Sequence, residues 1–238
     1  MKKVSVIIPA HNEEKYIAKC LDSIRTAETK IDLPVEIVVS LNRCTDKTED
    51  IAKRYGAVTV HEDEKNIART RNTGVESSTG DVVVTIDADS WMTPNMLQEV
   101  ITHLQSGKYI GGGVRMEPER MSVGIFFSIL ILVPYLVKAQ ISAAGMFWLY
   151  KQDFEAIGGF NERHVSAEDY YFAMKLKAYG KQKGLRYGTI RRAKIITSCR
   201  KFDQLGDWYL FKNPKLVKEI FTGTNQKVAD GFYYDVEK

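Results

Sequence analysis

The sharpest chemical signal in the sequence is a pair of aspartates, Asp87 and Asp89, separated by Ala88 and placed directly after the apolar run VVVTI. Two carboxylates at the end of a buried strand can face a divalent cation that is bound to phosphate oxygens. Mg²⁺ and Mn²⁺ prefer such hard oxygen ligands and keep several waters, so one or two carboxylates suffice. Acidic turns in solvent give the same pattern, but the place at a strand end favours a metal site.

A second acidic pair, Glu168 and Asp169, stands at the predicted start of a helix. The helix dipole favours acidic side chains in the first turn, which is a purely structural explanation of the pair. The chemical alternative is a carboxylate that takes a proton from an attacking hydroxyl as a general base. Taken alone, the pair favours the structural explanation.

Basic residues are concentrated in the stretch 181–201, which holds eight Lys or Arg and no acid, whereas the whole chain of 238 residues carries a net charge of only +4. Such a stretch suits anionic partners, namely phosphates, anionic lipid or nucleic acid. An ordinary solvated basic face explains it equally well.

The composition is that of a globular protein, with 44% hydrophobic and 27% charged residues. This balance excludes disorder as the main state and predicts one compact domain, or a domain with an appended subdomain. The three cysteines, Cys20, Cys44 and Cys199, lie far apart without a CxxC pair. They disfavour a disulfide scaffold or a structural zinc site and favour a reducing compartment. With no secretory signal at the start, we expect a cytoplasmic protein.

The segment 123–137, VGIFFSILILVPYLV, is almost wholly apolar. It is shorter than the roughly 20 residues that a bilayer-spanning helix needs, so we do not expect it to cross a membrane. It fits either a core helix or a helix that lies at a membrane interface between Arg120 and Lys138. The core helix is slightly favoured.

Strands and helices alternate over the first hundred residues. The predicted strands are Val4–Pro9, Val35–Ser40, Ala57–His61 and Val82–Ile86, and Asn12 is a candidate cap for the first helix. This order predicts a parallel, doubly wound sheet whose ligand sits beyond the carboxyl ends of the strands. The crevice would then be bordered by residues 9–14, 40–46 and 87–90. No linker interrupts the second half, so we expect one folded unit.

Four segments carry a resemblance to a known family. They are VSVIIPAHNEEKYIAKCLDSI, NRCTDKTEDIA, ARTRNTGVESSTGDVVVTIDADS and FEAIGGFNERHVSAEDYYFAMKLKAYG. In this order and with these gaps, the chain resembles the family 2 glycosyltransferases of GT-A fold over most of its length. The resemblance implies an α/β fold with a Rossmann-like, doubly wound mixed sheet and helices on both faces. It implies a single domain over residues 1–238, with a nucleotide-sugar-binding half (1–105) and an acceptor-side half (106–238) that includes an apolar helix over 121–140.

The resemblance also implies roles for particular residues. Asp169 would be the general base of an inverting transfer, with Glu168 beside it, and Asp87 and Asp89 would hold Mg²⁺ or Mn²⁺. The donor, a UDP- or GDP-sugar, would be bound by Pro9, Ala10, Asn12, Glu13, Asn42, Arg71, Asp87, Ala88, Asp89, Arg200 and Lys201. Trp148 and Tyr170 are the aromatic candidates for stacking on the acceptor, although aromatic residues more often belong to a core.

Two stretches bear on the donor site in particular. Where the family commonly has an Asp-Asp pair after the second strand, this chain has Leu41 and Asn42. An amide both donates and accepts hydrogen bonds, so the usual preference for uracil does not follow here. Ser198–Lys201 resembles a serine-x-arginine-arginine patch of some family members, and its Arg200 and Lys201 could balance charge on a departing diphosphate.

Other functions remain as alternatives. A phosphatase that uses the first aspartate of a DxD pair as nucleophile normally carries it after the first strand, whereas this pair follows the fourth. A dinucleotide oxidoreductase needs GxGxxG after the first strand, and PAHNEE has no glycine.

The non-catalytic alternative is a membrane-surface or nucleotide-binding module. A transferase with a lipid-linked or cell-envelope acceptor would combine the apolar and basic segments, with peripheral contact at the inner face of a membrane and no nucleic-acid partner.

Overall fold

The computed structural model of this protein describes residues 1–139, 145–223 and 225. The strands are β1 (Val4–Ala10), β2 (Val35–Asn42), β3 (Val58–Glu62), β4 (Val82–Thr85), β5 (Ser90–Met92), β6 (Tyr109–Pro118), β7 (Phe147–Tyr150) and β8 (Arg186–Thr197). The helices are α1 (Ile17–Glu28), α2 (Thr48–Arg54), α3 (Ile67–Glu76), α4 (Met96–Gln105), α5 (Val123–Leu130), α6 (Val133–Ala139), α7 (Lys151–Ala156), α8 (Glu168–Gln182), α9 (Arg200–Leu205), α10 (Tyr209–Lys212) and α11 (Pro214–Thr222).

Within the described residues, the strands form one mixed sheet in the order β3-β2-β1-β4-β7-β6-β8-β5. The strands β1 to β4 are parallel, as the alternating sequence predicts. Strand β7 runs antiparallel between β4 and β6, while β8 is parallel to β6 and antiparallel to β5. The sheet is therefore built from both halves of the chain.

The central strands are apolar on both faces because helices cover both faces. In β1, Val6 and Ile8 join one core, which also contains residues of α1, α2 and α4. Ile7 points the other way into a second core, with residues of α3, α7 and α8. The alternation of side chains along the strand thus divides one continuous apolar run between two layers.

Glycines on the paired strands β6 and β8 leave room for the indole of Trp148. Gly112 and Gly188 are partners in the β6–β8 ladder, and a Cβ on Gly188 would lie 2.7 Å from Cη2 of Trp148. The indole Nε1–H donates to the carbonyl oxygen of Gly113 at 3.0 Å. Since the Trp148 side chain is 0% exposed, the prediction that it stacks on an acceptor is wrong: it is a core residue whose polar atom is satisfied by the backbone.

The apolar segment does not form the single helix predicted over 121–140. It forms α5 and α6, separated by Ile131 and Leu132, and residue 140 lies outside the described part of the chain. Pro134 is the second residue of α6; it has no N–H and clashes with the preceding turn, so one helix cannot run through it.

The core prediction for this segment is also wrong for most of its side chains. Gly124, Ile125 and Ser128 of α5 face inward, but Val123 and Phe126 are 67% and 53% exposed. No helix among the described residues is long and apolar enough to cross a bilayer.

Candidate active site

A pocket opens at the carboxyl ends of the parallel strands, where the sequence predicts the crevice. Its walls come from β1, β2, α3, the β4–β5 connection and α9. It is lined by Pro9, Ala10, His11, Glu13, Asn42, Ile67, Thr70, Arg71, Asp87, Ala88, Asp89, Arg200 and Lys201. All of the predicted nucleotide-sugar residues except Asn12 therefore line one pocket.

Asn12 lies beside the pocket and supports its wall. It has a left-handed backbone (φ 54°), and its Oδ1 accepts the Thr45 N–H at 2.8 Å. The cap prediction for Asn12 is wrong, because α1 begins only at Ile17. Its contact with the donor stays a prediction, and in the structure its side chain joins the loop after β1 to the loop after β2.

Helix α3 carries a buried arginine to the centre of the site. The helix begins after Asn66, whose Oδ1 accepts the Arg69 N–H at 3.1 Å as an N-cap. From the next turn, the guanidinium of Arg71 donates from Nη2 to Asp87 Oδ1 at 2.8 Å and to Glu168 Oε1 at 3.3 Å. One cation thus joins the carboxylate after β4 to the acidic pair that begins α8.

Burial and crowding of negative charge set the protonation of the acidic pair. Burial, reinforced by the charge of Asp169, raises the pKa of Glu168 to about 7 against the opposing effect of Arg71. Burial also raises the pKa of Asp169, although the Arg71 charge and the Tyr170 N–H, which donates to Oδ1 at 2.7 Å, oppose it. Burial alone would lower the pKa of Arg71, but Asp87, Glu168 and Asp169 hold it above its ordinary value. Both carboxyls are thereby made more basic than usual, as a proton acceptor requires.

Arg200, at the start of α9, joins the first loop to the second aspartate. Its guanidinium forms a bidentate pair with Glu13, with Nη1–Oε2 and Nη2–Oε1 distances of 2.6 and 2.9 Å. Nη2 also lies 3.0 Å from Asp89 Oδ2, which accepts the Ser198 hydroxyl at 3.0 Å. The Tyr16 ring lies under this guanidinium, 5.2 Å from Cζ. In this arrangement Arg200 neutralises both Glu13 and Asp89.

The donor set fits a hard divalent cation. Asp87 and Asp89 offer carboxylate oxygens only, and the Asp87 side chain is 38% exposed to the pocket. No group of three or more His, Cys, Asp or Glu side chains suited to a metal occurs in the described part of the chain. The remaining ligands of a cation here would have to be water and phosphate oxygens, which is the coordination that Mg²⁺ and Mn²⁺ accept.

Asn42 presents a buried acceptor at the other end of the pocket. Its Nδ2 donates to the carbonyl oxygens of Glu62 and Glu64 at 2.9 and 2.6 Å, which fixes the orientation of the amide. Its Oδ1 is buried and has no hydrogen-bond partner among the described residues. The backbone oxygen of Asn42 contacts His11 Nδ1 at 2.6 Å. The free Oδ1 can accept one hydrogen bond from a ligand.

Tyr170 lies away from the pocket. It is 9% exposed, its ring packs edge-on against Phe221 at 5.3 Å, and it lines a shallow groove with Tyr135 and Tyr171. Its role on the acceptor side remains a prediction. The acidic pair, Glu168 and Asp169, adjoins the pocket through Arg71 rather than lining it.

Several pocket residues were missed in the sequence. Ile67 and Thr70 line the pocket together with Arg71, and Ser198 holds Asp89. The spacing of Ile67, Thr70 and Arg71 puts them on one face of a helix, so helical periodicity could have found the first two once Arg71 was chosen. Ser198 opens the stretch Ser198–Lys201, and the resemblance of that stretch to a serine-x-arginine-arginine patch could have pointed to it.

Comparison with known proteins places the chain among glycosyltransferases. The family model "Glycosyl transferase family 2" matches residues 5–169. The chain is 26% identical over 168 residues, 65% of its length and 50% of the relative's, to a dolichyl N-acetyl-alpha-D-glucosaminyl phosphate 3-beta-D-2,3-diacetamido-2,3-dideoxy-beta-D-glucuronosyltransferase of Methanococcus voltae. It spans no more than half the length of the curated relatives it matches.

Two solved structures share the fold. TarS 1–349 of S. aureus superposes with a TM-score of 0.65 at 19% identity, covering 98% of this chain and 69% of that one. The mannosyltransferase PcManGT of Pyrobaculum calidifontis, solved with GDP-Man and Mn²⁺, gives 0.64 at 22% identity, covering 96% and 67%. These likenesses confirm the predicted fold class, a GT-A fold with a mixed sheet and helices on both faces.

Proposed function

The chain belongs to glycosyl transferase family 2, and we propose that it transfers a sugar from a nucleoside-diphosphate sugar to a hydroxyl acceptor with inversion at the anomeric carbon. The observation that carries this proposal is the bridge from Asp87 through Arg71 to Glu168. It sets the acidic pair that begins α8 beside the carboxylate that faces the pocket. A donor-binding group and a proton acceptor then meet at one place.

Asp169 is the general base of the proposed reaction. It takes the proton of the acceptor hydroxyl while that oxygen bonds to the anomeric carbon and the bond from this carbon to the diphosphate oxygen breaks. Because the oxygen enters opposite to the leaving diphosphate in one displacement, the anomeric configuration inverts. Support comes from the half-buried position of Asp169 at the start of α8 and from its raised pKa, which suit a carboxylate that must accept a proton.

Asp87 and Asp89 hold the divalent cation, Mg²⁺ or Mn²⁺, in this proposal, and the cation stabilises the departing diphosphate as a Lewis acid. PcManGT was solved with GDP-Man and Mn²⁺, which supports a metal of this class. A cation held by Asp89 would compete with Arg200 for that carboxylate, and the guanidinium would then have an Nη2 hydrogen to direct at the diphosphate. Glu13 keeps Arg200 at the pocket wall meanwhile.

Asn42 reads the base of the nucleotide in this proposal. Its one free atom, the buried Oδ1, accepts but does not donate. Uracil, thymine and guanine each carry a ring N–H that can donate to it, whereas the corresponding ring nitrogen of cytosine is an acceptor. We therefore propose a UDP- or GDP-sugar as donor and expect cytidine nucleotides to bind less well, because cytosine has no ring N–H and could donate to Oδ1 only by placing its exocyclic amino group there.

The acceptor in this proposal is lipid-linked or a cell-envelope glycan precursor. The dolichyl phosphate in the name of the M. voltae relative supports it. The exposed apolar side chains of α5 and α6 also support it, since an amphiphilic acceptor needs an apolar surface close to the site.

A thermal-shift panel tests the donor site. UDP, GDP, CDP and dTDP are each added with and without Mn²⁺, and a specific ligand at roughly a hundredfold excess over its dissociation constant stabilises the fold by about 2.7 kcal/mol. We expect a Mn²⁺-dependent shift with UDP or GDP and a much smaller one with CDP. A panel without any metal-dependent shift would contradict the proposed donor site.

A further inference from the structure

Exposed large apolar side chains are concentrated on one part of the surface. Among the described residues, all but Val58 and Met174 fall in residues 116–137 or 205–211. We call the following set the apolar face: Met121, Val123, Phe126, Leu130, Val133, Val137, Leu205, Trp208 and Phe211. A concentration of this kind marks a surface that contacts an apolar partner.

The apolar face rests on a packed base. In α5, the ring of Phe127 stacks on Trp208 at 5.7 Å and meets Phe211 of α10 edge-on at 5.6 Å. In α6, the ring of Tyr135 stacks on Phe221 of α11 at 4.0 Å. These ring contacts join α5 to α10 and α6 to α11, and Trp208 and Phe211 take part in them while remaining partly exposed on the apolar face. The exposed side chains are therefore presented on packed helices.

Unpaired lysines border the apolar face. Lys138, Lys212, Lys215 and Lys218 lie exposed on or next to α6, α10 and α11. None of the four is paired with a carboxylate anywhere in the part of the chain that the structure describes. Residues 121–139 contain no Asp or Glu. Glu219 of α11 is also exposed, so the four lysines leave the border with a net positive charge that is available to an anionic partner.

The apolar face begins close to the active site. Arg200, which pairs with Asp89, is the first residue of α9, and Leu205 of the apolar face is its last. Six helical residues span about 9 Å. A molecule embedded in an apolar layer on this face would thus have its polar end within a short distance of the metal-binding carboxylates.

We propose that the apolar face binds the surface of an anionic lipid bilayer. The apolar side chains insert at the headgroup boundary and the lysines pair with anionic headgroups, as in other peripheral proteins. A second copy of the chain fits less well, because a two-fold contact through this face would bring the same lysines together. The proposal rests on the proposed function only in that the lipid surface would supply the acceptor.

Vesicle flotation tests the proposal. The probes are vesicles of phosphatidylcholine alone and of an equimolar mixture with phosphatidylglycerol. We expect the protein to float with the mixed vesicles, to bind the neutral ones weakly, and to be partly released by salt. Each lysine near an anionic surface strengthens binding about fivefold, so Lys215→Gln/Lys218→Gln should weaken it by about 25-fold, and Lys2→Gln/Lys30→Gln should not.

Matched substitutions distinguish binding through the apolar face from nonspecific adsorption of exposed apolar side chains to vesicles. Val123→Asn and Val58→Asn both replace an exposed valine, 67% and 49% exposed, but only the first lies on the apolar face. We expect Val123→Asn, and more strongly Val123→Asn/Phe126→Ser, to lower the bound fraction severalfold, while Val58→Asn leaves it unchanged. Both variants replace side chains that already face solvent, so the fold should be retained.

Three results would overturn the proposal: no flotation of the unmodified protein, equal loss with Val58→Asn, or a dimer in light scattering that Val123→Asn/Phe126→Ser dissociates in a protein that binds no vesicles. The nucleotide thermal shift with Mn²⁺ is measured on the same samples. If vesicles bind but no nucleotide does, the donor site fails and the lipid surface stands; the reverse result removes the lipid surface alone.

Discussion

At the scale of single residues, Asp169 and Glu168 are neighbours with different environments. Glu168 touches Arg71, whereas Asp169 accepts only the Tyr170 N–H in the contacts described. We expect Asp169→Asn to lower the rate of transfer by about two to four orders of magnitude, the usual contribution of a general base. The measurement is single-turnover transfer at saturating donor, with donor binding followed by thermal shift.

The matched control for this prediction is Glu168→Gln. The Gln side-chain oxygen can still accept from Arg71, and a carboxyl with a pKa of about 7 is already partly protonated near neutral pH. We expect a far smaller loss of rate than in Asp169→Asn. Equal losses in both variants, or near-normal transfer by Asp169→Asn, would contradict the assignment of the base.

Arg200 competes with a metal ion for Asp89. Its Nη2 lies 3.0 Å from Asp89 Oδ2, and a charge-assisted hydrogen bond contributes on the order of 1.5 kcal/mol. We expect Arg200→Gln to tighten Mn²⁺ binding to the nucleotide-free protein by about tenfold, since 1.4 kcal/mol is a factor of ten. With Mn²⁺ present, the same variant should bind nucleoside diphosphate more weakly, because it lacks the cation that pairs with the phosphates.

Electron paramagnetic resonance of free Mn²⁺ measures the first effect, and calorimetry with UDP or GDP measures the second. Arg192→Gln, which removes an exposed arginine from β8, is the matched control and should change neither. Opposite signs for the two effects are the essential outcome. Weaker Mn²⁺ binding by the nucleotide-free Arg200→Gln protein would rule out the competition.

At the scale of elements, the packing of β6, β7 and β8 depends on glycine at position 188, where a side chain would not fit. A Cβ at Gly188 would approach Trp148 Cη2 at 2.7 Å and Tyr109 Cδ1 at 3.0 Å. We expect Gly188→Ala to lower the free energy of unfolding in urea by about 1–3 kcal/mol, the range for overpacked cores. In a Trp148→Phe background, which lacks the clashing ring, the cost should become small. An equal cost in both backgrounds would show that the indole is not what Gly188 accommodates.

The elements also show how far sequence patterns reach. The parallel strands β1 to β4 and helix α3 could be predicted because their apolar runs and spacing are local properties. Strands β5 and β8 could not. Strand β5 has three residues, and β8 contains the charged run at Arg191 and Arg192. Their strand conformation comes from pairing with each other and with β6, which no local pattern records.

The site shows the same division. Arg71, Asp87 and Asp89 stand in or next to regular elements, so their convergence follows from the strand order. The pairing of Arg200 with Glu13 joins residues 187 positions apart and was not predictable. Trp148 was misassigned for a related reason: only the packed structure shows that a glycine opposite leaves it a place in the core.

At the scale of the whole molecule, Glu36 ties the start of the sheet together. It pairs with Lys3 at 2.7 Å, accepts the Ser5 hydroxyl, and accepts the Thr79 hydroxyl at 2.8 Å. Burial alone would raise its pKa, but the Lys3 ammonium and the Ser5 and Thr79 donors outweigh burial and lower the pKa from 4.5 to about 2. This carboxylate joins β1 and β2 to the turn before β4.

Acid should therefore destabilise the molecule through Glu36. A carboxyl whose pKa is lowered by folding stabilises the fold above its unfolded pKa and loses that contribution as the pH falls through its folded pKa. Between pH 4.5 and 2 we expect a loss of roughly 3 kcal/mol from this group. Glu36→Gln should be less stable than the unmodified protein at pH 6, and the difference should shrink on acidification. A difference independent of pH in urea unfolding would contradict this.

The order of strands in the sheet has a consequence for synthesis on the ribosome. The chain emerges from its N-terminus, and β1 to β4 can pair as soon as they are made. Strand β5 lies at the sheet edge and pairs with β8, so Asp89 gains its contact with Ser198 only after residue 197, whereas Arg71 can reach Asp87 earlier. Arg200 follows directly. An interrupted translation product would hold half a sheet and exposed aspartates, but no complete donor site.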